Sequence, residues 1–450
     1  MAGGKTAGHT AGKTAIVGLG RSGVAAANLL ARRGAQLVMI DCDRGISRDR
    51  LPAGEVHLGE EDTAWLDGVE LVVTSPGVPP TNAIIHRADR RGISVIAELE
   101  LASRSIEAPI VAVTGTNGKS TVTTLIGNIF KAAGRRTFVG GNLGTPLSEA
   151  VGEPYDVVVV EVSSFQLERC DTFQPRVGVH LNLTDDHLDR YSDLADYGRA
   201  KARLFRSQHG DDWAILNRDD PHVWALASAL TARAIGFGIA KDDRQVLRQG
   251  SLHIDGDAIV YRIGDRHGRL ALAGFRARGR HNLLNAMAAA AAEIVMDVEP
   301  TAIERAFIEF TGLAHRLEFV REYAGVTYID DSKGTNVGAV IEALEAASPP
   351  IILIAGGVDK GGDYAPLIEP LARKAKLLIL IGAAREKMCR ELSGAVATRV
   401  VDGLAQAVAI AMEHARAGDT VMLSPACSSF DQFKNYAERG AAFKELVRAL

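Results

Sequence analysis

The stretch V-A-V-T-G-T-N-G-K-S-T at residues 111–121 constrains this chain more than any other. An apolar run of strand character ends in a glycine-rich turn, and a helical pattern follows from Lys119 to about Ala133. Backbone N–H groups in such a turn, with a helix N-terminus behind them, form a concavity for phosphate oxygens. Lys119 would neutralise the terminal phosphates, and the Ser120 or Thr121 hydroxyl would ligate Mg2+. A strict Walker A loop has glycine five residues before Gly118, where this chain has Val113. The loop is therefore the shortened form Gly115-Thr116-Asn117-Gly118-Lys119-Ser120-Thr121. It reads as an ATP site on a strand–turn–helix unit.

At 450 residues the chain has room for about three domains. A hydrophobic content of 47% with 24% charged residues fits globular domains with sizeable cores. The net charge of -4, with Lys and Arg scattered, argues against nucleic acid as a partner. Cys42, Cys170, Cys389 and Cys427 are too dispersed for a disulfide framework or a metal knuckle. No apolar run approaches the length of a membrane span, and residues 1–12 read as a loose Gly/Ala/Thr tail without the apolar core of a signal peptide. These features together predict a cytoplasmic protein in a reducing compartment with no membrane partner. No exposed apolar helix or heptad stands out, so a monomer is expected.

Strand and helix patterns alternate in three α/β blocks. The first, residues 13–107, has strands near Thr14–Val17, Leu37–Ile40 and Leu71–Thr74 with helices near Ser22–Arg33 and Asn82–Arg91. The second, 108–312, holds the phosphate loop, the strands Val157–Val160 and Val177–Leu181, and a β-rich insert from about Arg233 to Ala273. The third, 313–450, has its clearest strands at Val326–Ile329, Ile351–Ala355, Leu377–Ile381 and Val421–Ser424. Continuous apolar strands of this kind suit parallel sheets covered on both faces, and alternation throughout argues for doubly wound α/β domains. The Ala286–Ala292 run predicts close helix packing.

Gly18-Leu19-Gly20-Arg21-Ser22-Gly23 matches G-x-G-x-x-G after a strand, with Asp41 ending the next strand. That is a dinucleotide fingerprint, and it keeps a nicotinamide-linked dehydrogenase open. The same turn can cradle the diphosphate of a UDP-sugar, with Asp41 near the uracil or ribose. A simple dehydrogenase has no use for a second nucleotide loop, which weighs for the sugar nucleotide. Ser75-Pro76-Gly77 follows the strand Leu71–Thr74, at the carboxyl edge where such sheets bind ligands. Glu161 ends a strand as a metal-binding carboxylate would, and His187 follows the next one, in Asn182-Leu183-Thr184-Asp185-Asp186-His187-Leu188-Asp189-Arg190-Tyr191. Two such ends beside a phosphate loop point to metal chemistry. Lys201, on a helical stretch, carries no local signal of its own.

Taken in order, the phosphate loop, Glu161-Val162-Ser163-Ser164-Phe165-Gln166-Leu167, the His187 segment and Lys201 resemble the ATP-dependent Mur ligases of peptidoglycan synthesis, over nearly the whole chain. Within that family the pattern is most similar to the D-glutamate-adding member. It rests there on Gly140–Gly144, Asp331–Asn336, Gly356–Lys360 and Ser424–Phe433. The resemblance implies an N-terminal Rossmann-like domain for the UDP-sugar, a central P-loop ATPase-type domain and a C-terminal Rossmann-like domain for the amino acid. It implies the substrates UDP-N-acetylmuramoyl-L-alanine, D-glutamate and ATP, and an acyl-phosphate intermediate. It implies two Mg2+ ions, one on Ser120 and Glu161 and one on His187 and Lys201, the lysine being converted by CO2 to an anionic carbamate. By the same resemblance Asn142, with Lys119, belongs to the catalytic set. Asn282, Asn285, Arg316 and Asp331 would contact ATP, alongside the loop from Gly115 to Thr121. Gly18, Gly20, Arg21, Ser22, Asp41, Ser75, Gly77, Asn142, Ser163, Gln166 and His187 would contact the UDP-sugar. Lys333, Thr335, Lys360, Ser429, Phe430 and Tyr436 would contact D-glutamate, with Lys360 facing its side-chain carboxylate. Two departures are Cys42, where a hydroxyl residue would help hold the uracil, and Gly334, where Ala is more usual and the change should be harmless. A dehydrogenase would bind NAD(H), and a phosphate-loop binding module would leave the third block unexplained.

Overall fold

The computed structural model describes residues 12–187, 190–240, 249–275, 277 and 279–450. The tail 1–11 and, in the His187 segment, Leu188 and Asp189 lie outside the described residues. Three sheets organise the chain. The first has Lys13–Val17 at its centre, with Gln36–Asp41 and Glu55–Leu58 on one side and Val69–Thr74 and Ser94–Ala97 on the other, all parallel. Strand order therefore reverses beside the first strand, and the crevice at its carboxyl end lies between the Gly18 turn and Ser75. Ile16 and Met39 are fully buried beneath one covering helix, Arg21–Arg32, whose Leu30 packs in the same cluster.

The second sheet has nine strands. Ile110–Thr114 runs between Val157–Glu161 and Val177–His180, with Thr137–Gly141 at one edge and Trp213–Asn217 and Arg233–Phe237 on the other side, all parallel. The expected β insert is not a separate layer. Gly250–Asp255 pairs in parallel with Arg233–Phe237 and continues antiparallel through Ala258–Ile263 and Arg266–Ala271, so it widens the same sheet. An exposed hairpin strand would leave open backbone groups, and adding it to an existing edge satisfies them. Residues 286–292 on the helix Arg280–Val295, alanine except for Met287, are fully buried, the close packing that small side chains permit.

The third sheet orders Glu318–Tyr323, Val326–Asp330, Thr420–Leu423, Ile351–Gly356, Ala375–Ile381 and Thr398–Val400; only the first pair is antiparallel. Packing divides the chain into two compact units. One comprises Met1–Asn182, Gly198–Ala273 and Asn285–Phe307, the other Leu183–Tyr197, Gly274–Leu284 and Ile308–Leu450. The first two sheets thus share a unit. No helix among the described residues is long and apolar enough to cross a membrane.

Two buried carboxylates tie those sheets together. Both sit on the short helix Glu98–Ser103. Glu98 accepts the Ser148 N–H at 2.5 Å. Glu100, wholly buried, accepts the N–H groups of Asp171, Thr172 and Phe173 and pairs with Arg104. Donors of this kind offset the cost of burying the Glu100 carboxylate, whereas burial raises the pKa of Glu98, whose Oε2 has no partner among the described residues. Glu100→Ala leaves three N–H groups without their acceptor, the Phe173 one buried, so denaturant unfolding should show a loss of about 2 kcal/mol or more. An unchanged midpoint would show that the clamp contributes nothing.

Candidate active site

In the first unit the phosphate loop is shaped by backbone. Gly115 has φ +150° and Gly118 has φ +84°, a left-handed cap on the helix Lys119–Ala132. A Cβ at Gly118 would lie 2.6 Å from Asn285 Oδ1, so Asn285 closes the loop from behind. Asn182 holds it from the side: its Oδ1 accepts the Asn117 N–H at 2.8 Å, its Nδ2 donates to Asn117 O, and its carbonyl accepts the Thr116 N–H. Asn182 was not among the sequence candidates, although an Asn directly after a strand beside a phosphate loop was a signal for it.

Ser120 Oγ donates to Glu161 Oε2 at 2.6 Å, and Asn142 Nδ2 donates to Glu161 Oε1 at 2.9 Å. Strand pairing aligns Glu161 with Val113 and with Gly141, which brings the loop, the acid and Asn142 to one edge. A hydroxyl and a carboxylate oxygen at this distance, both buried, form an oxygen-rich donor pair that fits Mg2+. Two cations converge on one oxygen. Lys119 Nζ donates to Gly115 O at 2.9 Å and to Thr116 O at 2.8 Å, and Lys201 Nζ donates to the same Gly115 O at 2.8 Å. Lys201 is 1% exposed, so the lysine that looked like a surface charge lies under the loop.

The Gly18 turn lines a cavity of about 630 Å3 with Arg21, Ser22, Asp41, Cys42, Ser75 and Gly77. Gly18 has φ +86°, and a Cβ on Gly23 would lie 1.9 Å from its carbonyl oxygen, so the third glycine is required by close approach. Asp41 uses both oxygens on backbone, accepting the Leu19 N–H at 2.5 Å and the Asp43 N–H at 2.8 Å. Ser75 Oγ donates to Gly18 O at 2.7 Å. Asp41 and Ser75 therefore shape the turn. Ser163 and Gln166 form a capping box on the short helix Ser164–Leu167, each side chain bonded to the other residue's backbone.

The second unit contains His187, Asn282, Arg316 and all the residues assigned to D-glutamate. A cavity of about 230 Å3 is lined by Asp185, Asp186, His187, Thr335, Asn336 and Lys360, among others. His187 has φ +57° and lies 3.7 Å from Asp186 Oδ2. Lys360 Nζ is 3.1 Å from Asp186 Oδ1 and 3.4 Å from Thr335 Oγ1, and Asn336 Nδ2 donates to Asp186 Oδ2. Burial opposes the charge on Asp186, but Lys360, His187 and these hydrogen bonds outweigh it and hold the carboxyl below its ordinary range. The lysine expected to face a substrate carboxylate thus already faces one from the protein.

Ser429 is buried, whereas Phe430 is 72% exposed. Lys333 Nζ lies 5.4 Å from the centre of the Tyr436 ring. The loops carrying these residues are pinned by Arg439, 1% exposed, which donates to Ser332 Oγ and to the carbonyls of Ser332, Gly356, Cys427 and Ser428. Nothing in the sequence marks an arginine in the helix Tyr436–Arg448 for that role. Gly334 is less neutral than expected. A Cβ there would lie 2.4 Å from Asp331 Oδ2 and 2.8 Å from Ser424 Oγ, so the Asp331 carboxylate occupies space that alanine would need.

Three family models match the chain: "Mur ligase MurD-like, N-terminal domain" at residues 12–97, "Mur ligase middle domain" at 113–293 and "Mur ligase, glutamate ligase domain" at 315–427. The chain belongs to the Mur ligase family, on its MurD-like side. Two UDP-N-acetylmuramoylalanine--D-glutamate ligases, from Geotalea uraniireducens and Geotalea daltonii, are each 47% identical to it over 97% of both chains. A pseudomurein peptide ligase type C from Methanothermus fervidus shares the fold, with a TM-score of 0.63 at 19% identity over 97% of this chain and 99% of its own.

Asp331 offers a pH test. Burial pushes its carboxyl up to about 6, against the opposing pull of the Ser424 hydroxyl, Arg316 and the Leu317 N–H. A carboxyl raised on folding contributes stability below its unfolded pKa and loses it as pH rises through the folded value. Thermal unfolding of wild type and Asp331→Asn from about pH 4 to about pH 7 should show the difference moving steadily in favour of Asn. Parallel curves would contradict the burial of this charge.

Proposed function

We propose that this chain joins D-glutamate to UDP-N-acetylmuramoyl-L-alanine at the expense of ATP, in the synthesis of a peptidoglycan precursor. The full-length similarity to ligases of that name supports the reaction. The observation that carries its chemistry is the convergence of Lys119 and Lys201 on Gly115 O beside the Ser120–Glu161 pair. A carboxylate and a polyphosphate repel each other, so the first step needs neutralised charge and an aligned attack. Residues 108–312 would hold ATP, 13–107 the UDP-sugar and 313–450 the amino acid. We place the reaction in the cytoplasm, where ATP and UDP-sugars are made, with the protein acting as a monomer.

The L-alanyl carboxylate oxygen attacks the γ-phosphorus and ADP leaves, giving an acyl phosphate. The D-glutamate amine then attacks the acyl carbon, and the tetrahedral adduct collapses to the amide with loss of phosphate and a proton. Lys119, at the mouth of the loop, screens the phosphates during the first step. Ser120 and Glu161 would hold Mg2+, which supplies further neutralisation of the phosphates when bound. The Asn142 amide keeps Glu161 Oε1 turned toward the loop. Lys201 as an ammonium cannot ligate a cation. Carbamylated by CO2 it would offer anionic oxygens to a second ion and would relieve its repulsion with Lys119. In the second unit Lys360 would exchange Asp186 for the side-chain carboxylate of D-glutamate, a like-for-like swap that disfavours neutral side chains.

Phosphate release from ATP and Mg2+ with UDP-N-acetylmuramoyl-L-alanine tests the reading, comparing D-glutamate, L-glutamate and no amino acid. Release should require D-glutamate and yield a UDP-linked dipeptide. Turnover with another amino acid instead would keep the ligase and overturn the substrate. Lys201→Ala and Lys201→Arg should each abolish ligation, since neither side chain forms the carbamate. Full activity in either would remove that role from Lys201.

A further inference from the structure

His180 ends the strand Val177–His180 and is 1% exposed, yet neither ring nitrogen has a hydrogen-bond partner among the described residues. An imidazole always carries at least one N–H, and an unmet donor in a dry interior is expensive enough to require an explanation. Strand alternation puts His180 on the same face as Gly178, where an added Cβ would meet the Phe205 ring at 2.8 Å. The His180 ring is accordingly 6.5 Å from that of Phe205. Lys201 precedes Phe205 by one helical turn, and both side chains are buried. The register places His180 beside Thr114, the residue before Gly115, whose carbonyl receives Lys201 Nζ at 2.8 Å. The unmet imidazole and the lysine amine are therefore both directed to the Thr114–Gly115 segment at the foot of the phosphate loop. Burial is the largest cause that lowers the His180 pKa, ahead of the Lys201 and Lys119 charges, so near neutral pH the ring is uncharged and keeps one N–H.

We propose that His180 is a positioning residue for Lys201, donating its ring N–H to an oxygen of the carbamate that forms on Nζ. The inference rests on the reading of Lys201 as a carbamate and adds the partner that holds it. In the step itself Lys201 loses one proton to solvent base, and the freed nitrogen lone pair forms the N–C bond to CO2. One C=O π pair moves onto oxygen, and a second N–H proton leaves to solvent base, so an ammonium and CO2 give an anionic carbamate and two protons. The hydrogen bond satisfies a donor that is otherwise unmet and fixes which way the carbamate oxygens point.

The test is carbon-13 NMR of the full-length protein in labelled bicarbonate, for wild type, Lys201→Ala, His180→Leu and His180→Gln, with thermal unfolding on each. Wild type should show a carbamate resonance that Lys201→Ala lacks. His180→Leu should weaken it and raise the bicarbonate needed for half-maximal phosphate release about tenfold, the effect of one lost hydrogen bond to a charged group. His180→Gln, which keeps an N–H donor, should stay within about twofold. A His180→Leu protein with wild-type resonance and bicarbonate dependence would overturn the role of His180 and leave the carbamate standing. Equal loss in Leu and Gln variants of wild-type thermal stability would also overturn it, because shape rather than the donor would then matter. Absence of the resonance in wild type would overturn the carbamate itself, and the inference with it.

Discussion

The carbonyl oxygen of Gly115 is the point on which the first unit depends. It receives Lys119 Nζ at 2.9 Å and Lys201 Nζ at 2.8 Å, so as ammonium ions the two charges are at most 2.9 + 2.8 = 5.7 Å apart. At a partly buried site that repulsion is on the order of 3 kcal/mol. Only a backbone forced outward by glycine presents a carbonyl in this way, and Gly115 and Gly118 supply the dihedrals. The strain has an evident use. A site that crowds two cations at the start of a phosphate loop favours a polyanion, and it also favours converting one of the cations to an anion.

Carboxylates buried on backbone or hydroxyl donors recur through the fold and divide the work. Glu161 aligns the loop, Asn142 and the bonding oxygen of Ser120. Glu100 and Glu98 fasten the first sheet to segments of the second. Asp41 folds the Gly18 turn onto its own strand end. Glu161, Glu100 and Asp41 offset the cost of leaving water with two or more N–H or O–H donors, so they fix geometry more than they add net stability. The second unit solves the same problem with a cation. Arg439 gathers the carbonyls of Ser332, Gly356, Cys427 and Ser428, and so sets the loops around Thr335, Lys360 and Ser429 by hydrogen bonds from one planar group.

Chemistry carried by contiguous motifs was legible. The shortened phosphate loop, the fingerprint at Gly18–Gly23 and the strand-terminal Glu161 all stand where a strand-to-turn pattern places them, because turn glycines and strand ends are local features. The resemblance to Mur ligases rests on the same segments. Partners that depend on distant neighbours were not legible. Gly334 makes room for Asp331, and Lys360 has a protein carboxylate as its partner, whereas the helix cap formed by Ser163 and Gln166 is local. The β-rich insert was visible as strands, but its place on the edge of the main sheet was not, since pairing partners are set by backbone groups that carry no residue code.

By itself the sequence determined three α/β blocks, a phosphate-binding turn and the residue types able to hold a metal, because periodicity and glycine placement act within a few residues. Tertiary structure alone decided that Lys201 lies buried beneath the loop and that His180, an unremarkable end to the segment V-G-V-H, is buried on the neighbouring strand with no hydrogen-bond partner among the described residues. The reason is physical. Burial and electrostatic environment come from strands and helices brought together across long separations, and the same lysine or histidine would be a solvated side chain on any surface.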